Sequence, residues 1–223
     1  MRNLRAGGYH HIVRMTIRNL ALTAAVAAVA AFGQDYKMQA GGAPPDEVGA
    51  LKSAVESKSI QILDSTGKVY CQLWMRSTPA PAGKSTEANV TLPEIIPGTF
   101  FAVIQFPAAS ADRRGQPIKP GLYTLRYSNF PITGDHQGVA PQRDFFVVSK
   151  LADDTDAAAV PKFDVLMNMS RKASGTTHPL VLSIWKPDTF AAGLTKEGEH
   201  DWVLQTKVGT LAIAIILIGR GEG

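Results

Sequence analysis

The run Leu211–Ile218, LAIAIILI, constrains the fold of this chain more than any other stretch. Eight apolar residues cannot cross a membrane as a helix, which takes about 20. Four of the eight are β-branched isoleucines, stiff at χ1 and suited to a pleated surface. The run therefore predicts a strand buried on both faces.

Alternating patterns precede it. Residues 59–63 and 69–76 are apolar-alternating runs joined by Asp64-Ser65-Thr66-Gly67-Lys68, a hairpin signal with a polar, glycine-containing turn. In the second run Val69, Cys71, Leu73 and Met75 fall on one face, and Tyr70, Gln72, Trp74 and Arg76 on the other, so Cys71 belongs with the core. Residues 90–92, 99–106, 122–127, 144–148 and 179–184 read as further strands. Residues 201–208 and 210–218 read as a closing hairpin around Gly209.

Two short helices interrupt the strands. Residues 46–55 follow a proline pair and carry acidic residues in the first turn, with Gly49 weakening the pattern. Residues 162–174 put Phe163, Leu166, Met167 and Ser170 on one face, and Gly175 stands where the helix would stop. Residues 34–45, 79–85, 108–119, 152–161 and 190–200 read as loops. Short strands with turn signals at regular spacing predict a mostly β fold, an antiparallel β-sandwich or jelly-roll-like domain.

The first 33 residues read differently. Arg2, Arg5, Arg14 and Arg18 flank an apolar run, Leu20 to Phe32, and Ala31 and Phe32-Gly33 supply a small-residue cleavage site. That pattern predicts a secretory signal peptide, with Met15 as an alternative start. No Arg-Arg pair precedes the run and no cysteine follows it, which argues against twin-arginine export and a lipid anchor. The expected organisation is a signal peptide over 1–33, an N-terminal segment with a short helix over 34–58, and one β domain over 59–223. Location is then periplasmic or extracellular, with no transmembrane segment after cleavage.

Removing those four arginines from 23 basic groups leaves 19, against 19 acidic groups. The mature chain is formally neutral, so its charge gives no reason to expect nucleic-acid binding. Cys71 is the single cysteine, which excludes an internal disulfide.

The stretch with the most specific chemistry is the connection between the strands at 122–127 and 144–148. It spans residues 128–143 and carries Asp135, His136, Gln137 and Arg143, with Asp144 opening the return strand. Most connections take about 4–6 residues, and a longer one is usually functional. Asp135, His136, Gln137, Arg143 and Asp144 are thus the candidate ligand-binding residues. A structural role competes with this: Arg143 tying the loop to backbone carbonyls, Asp144 capping a turn.

A metal site is the alternative. Of five histidines, His10 and His11 lie in the signal, leaving His136, His178 and His200. His136 and His178 with Asp135, or with Glu199, would suit a divalent first-row metal, although no pair has a diagnostic ligand spacing. No cofactor is otherwise predicted. Trp74, Trp185 and Trp202 with Tyr123 and Tyr127 could form a sugar-stacking platform, but strand positions favour core packing. Gly83-Lys84-Ser85 lacks the upstream glycine of a phosphate-binding loop. There is no G-x-S-x-G, Cys71 faces the core with no base adjacent in sequence, and Ser170 and Ser174 on the second helix are unremarkable, so nothing local supports an enzyme.

The export signal, IKPGLYTLRYSNFP, GDHQGVAPQRDFFVV, SRKASGTTHP and LAIAIILIGRGEG together resemble a family of secreted β-rich bacterial proteins, acidobacterial types among them. The PGLYTL portion also resembles a strand motif of a second family of exported β proteins. The resemblance implies a secreted β domain marked by the loop bearing Asp135, His136, Gly138, Arg143 and Asp144 and by the turn bearing His178. It implies no activity. The expected function is an exported, non-enzymatic protein binding a small ligand or partner protein through the 128–144 face. The alternatives are the metal site and an accessory subunit of a cell-envelope complex.

Overall fold

The computed structural model describes residues 35–132 and 142–221. The expected signal peptide and the loop residues Asp135, His136, Gln137 and Gly138 lie outside the described residues.

The described chain is mostly β. Its strands are β1 (Lys37–Ala40), β2 (Ile60–Leu63), β3 (Val69–Met75), β4 (Phe100–Phe106), β5 (Ser110–Ala111), β6 (Pro117–Ile118), β7 (Gly121–Asn129), β8 (Asp144–Lys150), β9 (Leu180–Trp185), β10 (Gly193–Glu197), β11 (Asp201–Val208) and β12 (Leu211–Ile218). Ten of them form one sheet in the order β1-β2-β3-β4-β7-β8-β9-β12-β11-β10, every pairing antiparallel; β5 and β6 form a separate small hairpin.

The edges of this sheet approach one another, β1 running beside β10. Tyr36, just before β1, packs edge-on against Trp202 of β11 at 5.5 Å between ring centres, and against Tyr70 of β3 at 5.3 Å. The expectation of two facing sheets therefore gives way to a single sheet nearly closed into a barrel. The inside-out alternation of a strand is the same in both architectures. Curvature separates them, and the register shifts at Ile62/Leu63, Phe100/Ala102 and Trp202/Val203 are irregularities of the kind that bend and twist strands.

The barrel interior is filled by side chains. Cys71, Leu73 and Met75 of β3 meet Phe101, Ile104 and Phe106 of β4, Tyr123, Leu125 and Tyr127 of β7, and Ile213, Ile215 and Leu217 of β12. All of Ile213 to Leu217 is buried. Outside, Val48, Leu51 and Val55 cover Trp74, Phe100 and Val103. Helix α1 (Phe163–Ser174) lays Leu166 and Met167 on Phe145, Val147 and Val181.

Both expected helices form. The first, Asp46–Ala54, is 3-10 in geometry and breaks at Gly49, whose φ of 59° only glycine adopts at little cost. Helix α1 stops at Gly175 (φ 71°), whose N–H donates to the Arg171 carbonyl at 2.9 Å. Segments 34–45 and 190–200, expected as loops, contain β1 and β10. Edge strands pair on one side only, and KMQA and GLTKE are short and carry lysines, a common protection of sheet edges that leaves too brief an alternation to read as a strand. Residues 90–92 form no strand; Leu92 is instead buried in the barrel core. Through β1, Lys37–Ala40 join the same sheet as the rest.

Candidate functional site

Where β7 ends and β8 begins, the strand alternation sends neighbouring side chains to opposite sides. Tyr127, Asn129 and Asp144 gather on the inner side at the barrel mouth, whereas Arg126 and Ser128 face outward. Asn129 is paired with Asp144 in register.

Asp144 is fully buried. Its Oδ1 accepts from the Tyr127 hydroxyl at 2.6 Å, and Oδ2 accepts from the Thr91 N–H at 2.7 Å and hydroxyl at 3.0 Å. The Tyr127 hydroxyl accepts in turn from Asn129 Nδ2 at 2.8 Å. Burial first, and then the bond to Asp144, push the Tyr127 phenol well above its ordinary value of 10.0. Thr91 continues the network, its hydroxyl accepting from the Lys186 N–H at 3.0 Å.

Arg143 works on the other side. Its Nε and Nη2 donate to the Phe130 carbonyl at 2.8 and 2.6 Å, Nη2 also bonds Glu87 Oε2 at 2.8 Å, and Nη1 donates to the Ala88 carbonyl. The Phe130 N–H donates to the Arg143 carbonyl at 2.9 Å. Arg143 thereby clamps the base of the connection to the 87–88 segment. It and Asp144, adjacent in sequence, do not share a ligand-facing surface.

His178 is exposed in the turn after α1. Its N–H donates to Thr176 Oγ1, and its carbonyl accepts from the Ser174 and Thr176 hydroxyls. Leu180 pairs with Val148, and Asp144 lies about 13 Å back along β8 at the usual rise per residue. His178 thus stands at the far end of β8 from Asp144, although its neighbour Pro179 lines one cavity with Phe130 and Pro131 at the start of the connection. Among the described residues no group of three His, Cys, Asp or Glu is placed to hold a metal.

The residues considered for catalysis and stacking are occupied structurally. Ser170 Oγ accepts from the Leu180 N–H at 2.8 Å and donates to the Val148 and Leu180 carbonyls. Burial pushes the Cys71 thiol up from 9.0. Trp74 Nε1 donates to the Gly42 carbonyl from beneath the first helix, and Tyr123 and Tyr127 lie inside the barrel, so no aromatic platform forms from these residues.

What the sequence reasoning missed lies just outside the mouth. A cavity of about 430 Å³ is lined by Pro97, Ser128, Asn129, Phe130, Ile132 and Phe163, with Arg143 and Glu87 beside them. Among the described residues the outward-facing Ser128 hydroxyl and the inner-side Asn129 Oδ1 are buried and have no hydrogen-bond partner. Such orphaned groups cost about 1–3 kcal/mol each and are rare in native structures. The rim carries exposed apolar side chains: Ile132 and Phe163 line the cavity, and Val160 stands near Gly98, next to Pro97. The small polar pair Ser128-Asn129 between Tyr127 and Phe130 was the available signal. No family model matches the chain, and no match was found among curated proteins or solved structures.

Proposed function

We propose that the chain is an exported, non-enzymatic binding protein, periplasmic or extracellular, that takes a small ligand on the face where the 128–144 connection leaves the barrel. One observation carries this reading: Ser128 Oγ, a buried polar atom without a partner among the described residues, belongs to a residue lining a cavity with apolar walls and an exposed apolar rim. Apolar walls with a few converging polar groups are the usual make-up of a small-molecule site. A ligand with an apolar body and a hydrogen-bonding group would satisfy the Ser128 hydroxyl that the fold leaves unsatisfied. The export half of the reading rests on the Leu20–Phe32 run and its basic flank.

The test is a titration of 3-phenylpropan-1-ol, a ring with one hydroxyl, into ¹⁵N-labelled protein comprising residues 34–223. Saturable shifts centred on residues 128–132, 143 and 163 are expected. Ser128→Ala should weaken binding by about 3–10-fold, the worth of one hydrogen bond, while leaving the free protein at least as stable, because it removes an unsatisfied hydroxyl. Absence of saturable binding, or binding whose shifts lie elsewhere, would overturn the site.

A further inference from the structure

A second, smaller cavity adjoins the first and suggests what kind of head group the ligand carries. It holds about 140 Å³ and lies where α1 crosses Phe145 of β8 and Val181 of β9, with Arg114 and Arg171 among its lining residues. It shares Phe130, Pro131 and Phe163 with the larger cavity. Its floor is the stacked pair Phe130 and Phe145, 4.3 Å between ring centres and 24° between planes. Among the described residues no acidic one lines it.

Arg114 is only partly used by the protein. Its Nη2 donates to Asp112 Oδ2 at 3.0 Å and to the Pro179 carbonyl at 2.6 Å. Its Nε is buried and has no partner among the described residues. A guanidinium has five N–H donors, and leaving some of them dry is expensive. Arg126 shows the contrast in the same molecule: all its nitrogens are engaged, by Asp154 Oδ1 and Oδ2 and by the carbonyls of Gly98, Asp156 and Ala159. Arg171 adds a second guanidinium, which bonds the Thr177 carbonyl and Asn168 Oδ1 and pairs with no carboxylate among the described residues.

The charges decide between anions. Asp112 already balances Arg114, so the two arginines present a net charge near that of one cation. That suits a monovalent carboxylate better than a dianionic phosphate. From these observations we propose that the ligand is a largely apolar monocarboxylic acid with a second polar group, its carboxylate accepting from Arg114 in the smaller cavity, its hydrocarbon body lying along Phe130 and Phe163, and the second group meeting the Ser128 hydroxyl. The inference rests on the reading of this face as a binding site.

The experiment compares two probes of one shape, 3-phenylpropanoate and 3-phenylpropan-1-ol, by titration calorimetry and ¹⁵N spectra at pH 7. The acid should bind about tenfold more tightly, the worth of one charge-assisted hydrogen bond. Arg114→Gln should erase that preference while changing the affinity of the alcohol by less than about twofold. If Arg114→Gln does not fold, Arg114→Lys keeps a cation beside Asp112 without the Nε and Nη1 donors, and the preference should fall several-fold. Equal affinity of acid and alcohol, or a preference that survives the arginine variants, overturns the carboxylate assignment and leaves the binding site standing. Failure of both probes to bind overturns the two together.

Discussion

The Tyr127 hydroxyl donates to Oδ1 of Asp144 at 2.6 Å on the inner side of the barrel mouth, one residue away from an arginine that never meets that carboxylate. Tyr127→Phe removes one of the donors to a fully buried Asp144 and the acceptor of Asn129 Nδ2. A loss of about 1–3 kcal/mol is expected, read from urea unfolding. A variant as stable as the parent would mean that solvent reaches the carboxylate.

Alkali should weaken the fold before it affects the backbone. Burial raises the Tyr127 and Tyr70 phenols above 10.0 and the Cys71 thiol above 9.0. Their folded forms hold protons that the unfolded chain has already released, so stability is complete below pH 9.0 and falls as pH rises through 9.0 and 10.0 toward the folded values. The urea midpoint should be flat from about pH 7 to 8.5 and then decline. Combining Cys71→Ala with Tyr127→Phe should flatten the decline; an unchanged slope would assign it to other groups.

Arg126 and Asp154 form a bidentate pair at 2.7 and 2.8 Å, with side chains 1% and 4% exposed. Removing one partner strands a charge: Asp154→Ala and Arg126→Met should each cost about 3–5 kcal/mol. The double variant should cost less than the sum, because neither charge is then unpaired. Additive losses in the thermodynamic cycle would show that the carbonyl contacts of Arg126 dominate.

Gly98 has φ of 99°, and a Cβ there would lie 2.7 Å from the Pro161 carbonyl oxygen. Its own carbonyl accepts from Arg126 Nη1 at 2.8 Å. Gly98→Ala should therefore destabilise by about 1–3 kcal/mol, whereas Gly42→Ala, with nothing within 4 Å of the added Cβ, should be close to neutral. Equal thermal midpoints for the two variants would contradict this packing.

Elemental analysis of untagged, chelator-free protein should find no stoichiometric metal, since among the described residues no three metal-ligating side chains converge. Metal present in the parent and lost in both His136→Ala and His178→Ala would replace the ligand reading with a metal site.

Several features were legible in the sequence because they are local. Apolar alternation located most strands, Gly175 the end of α1, and LAIAIILI the strand buried on both faces. The same residues placed Cys71 in the core. The edge strands β1 and β10 were not legible, because one-sided pairing asks little of a side chain. Nor was the choice of one curled sheet over two facing sheets, which depends on register shifts and on Tyr36 meeting Trp202 across the closing edges. The candidate site divides in the same way. Its neighbourhood followed from an unusually long connection, but Arg143 and Asp144 turn to opposite sides of a strand, and Ser128, Phe130 and Phe163 meet only when α1 docks on the barrel. Periodicity is carried by each segment alone, whereas a cavity and its unsatisfied polar atoms exist only between segments, so only tertiary packing could place them.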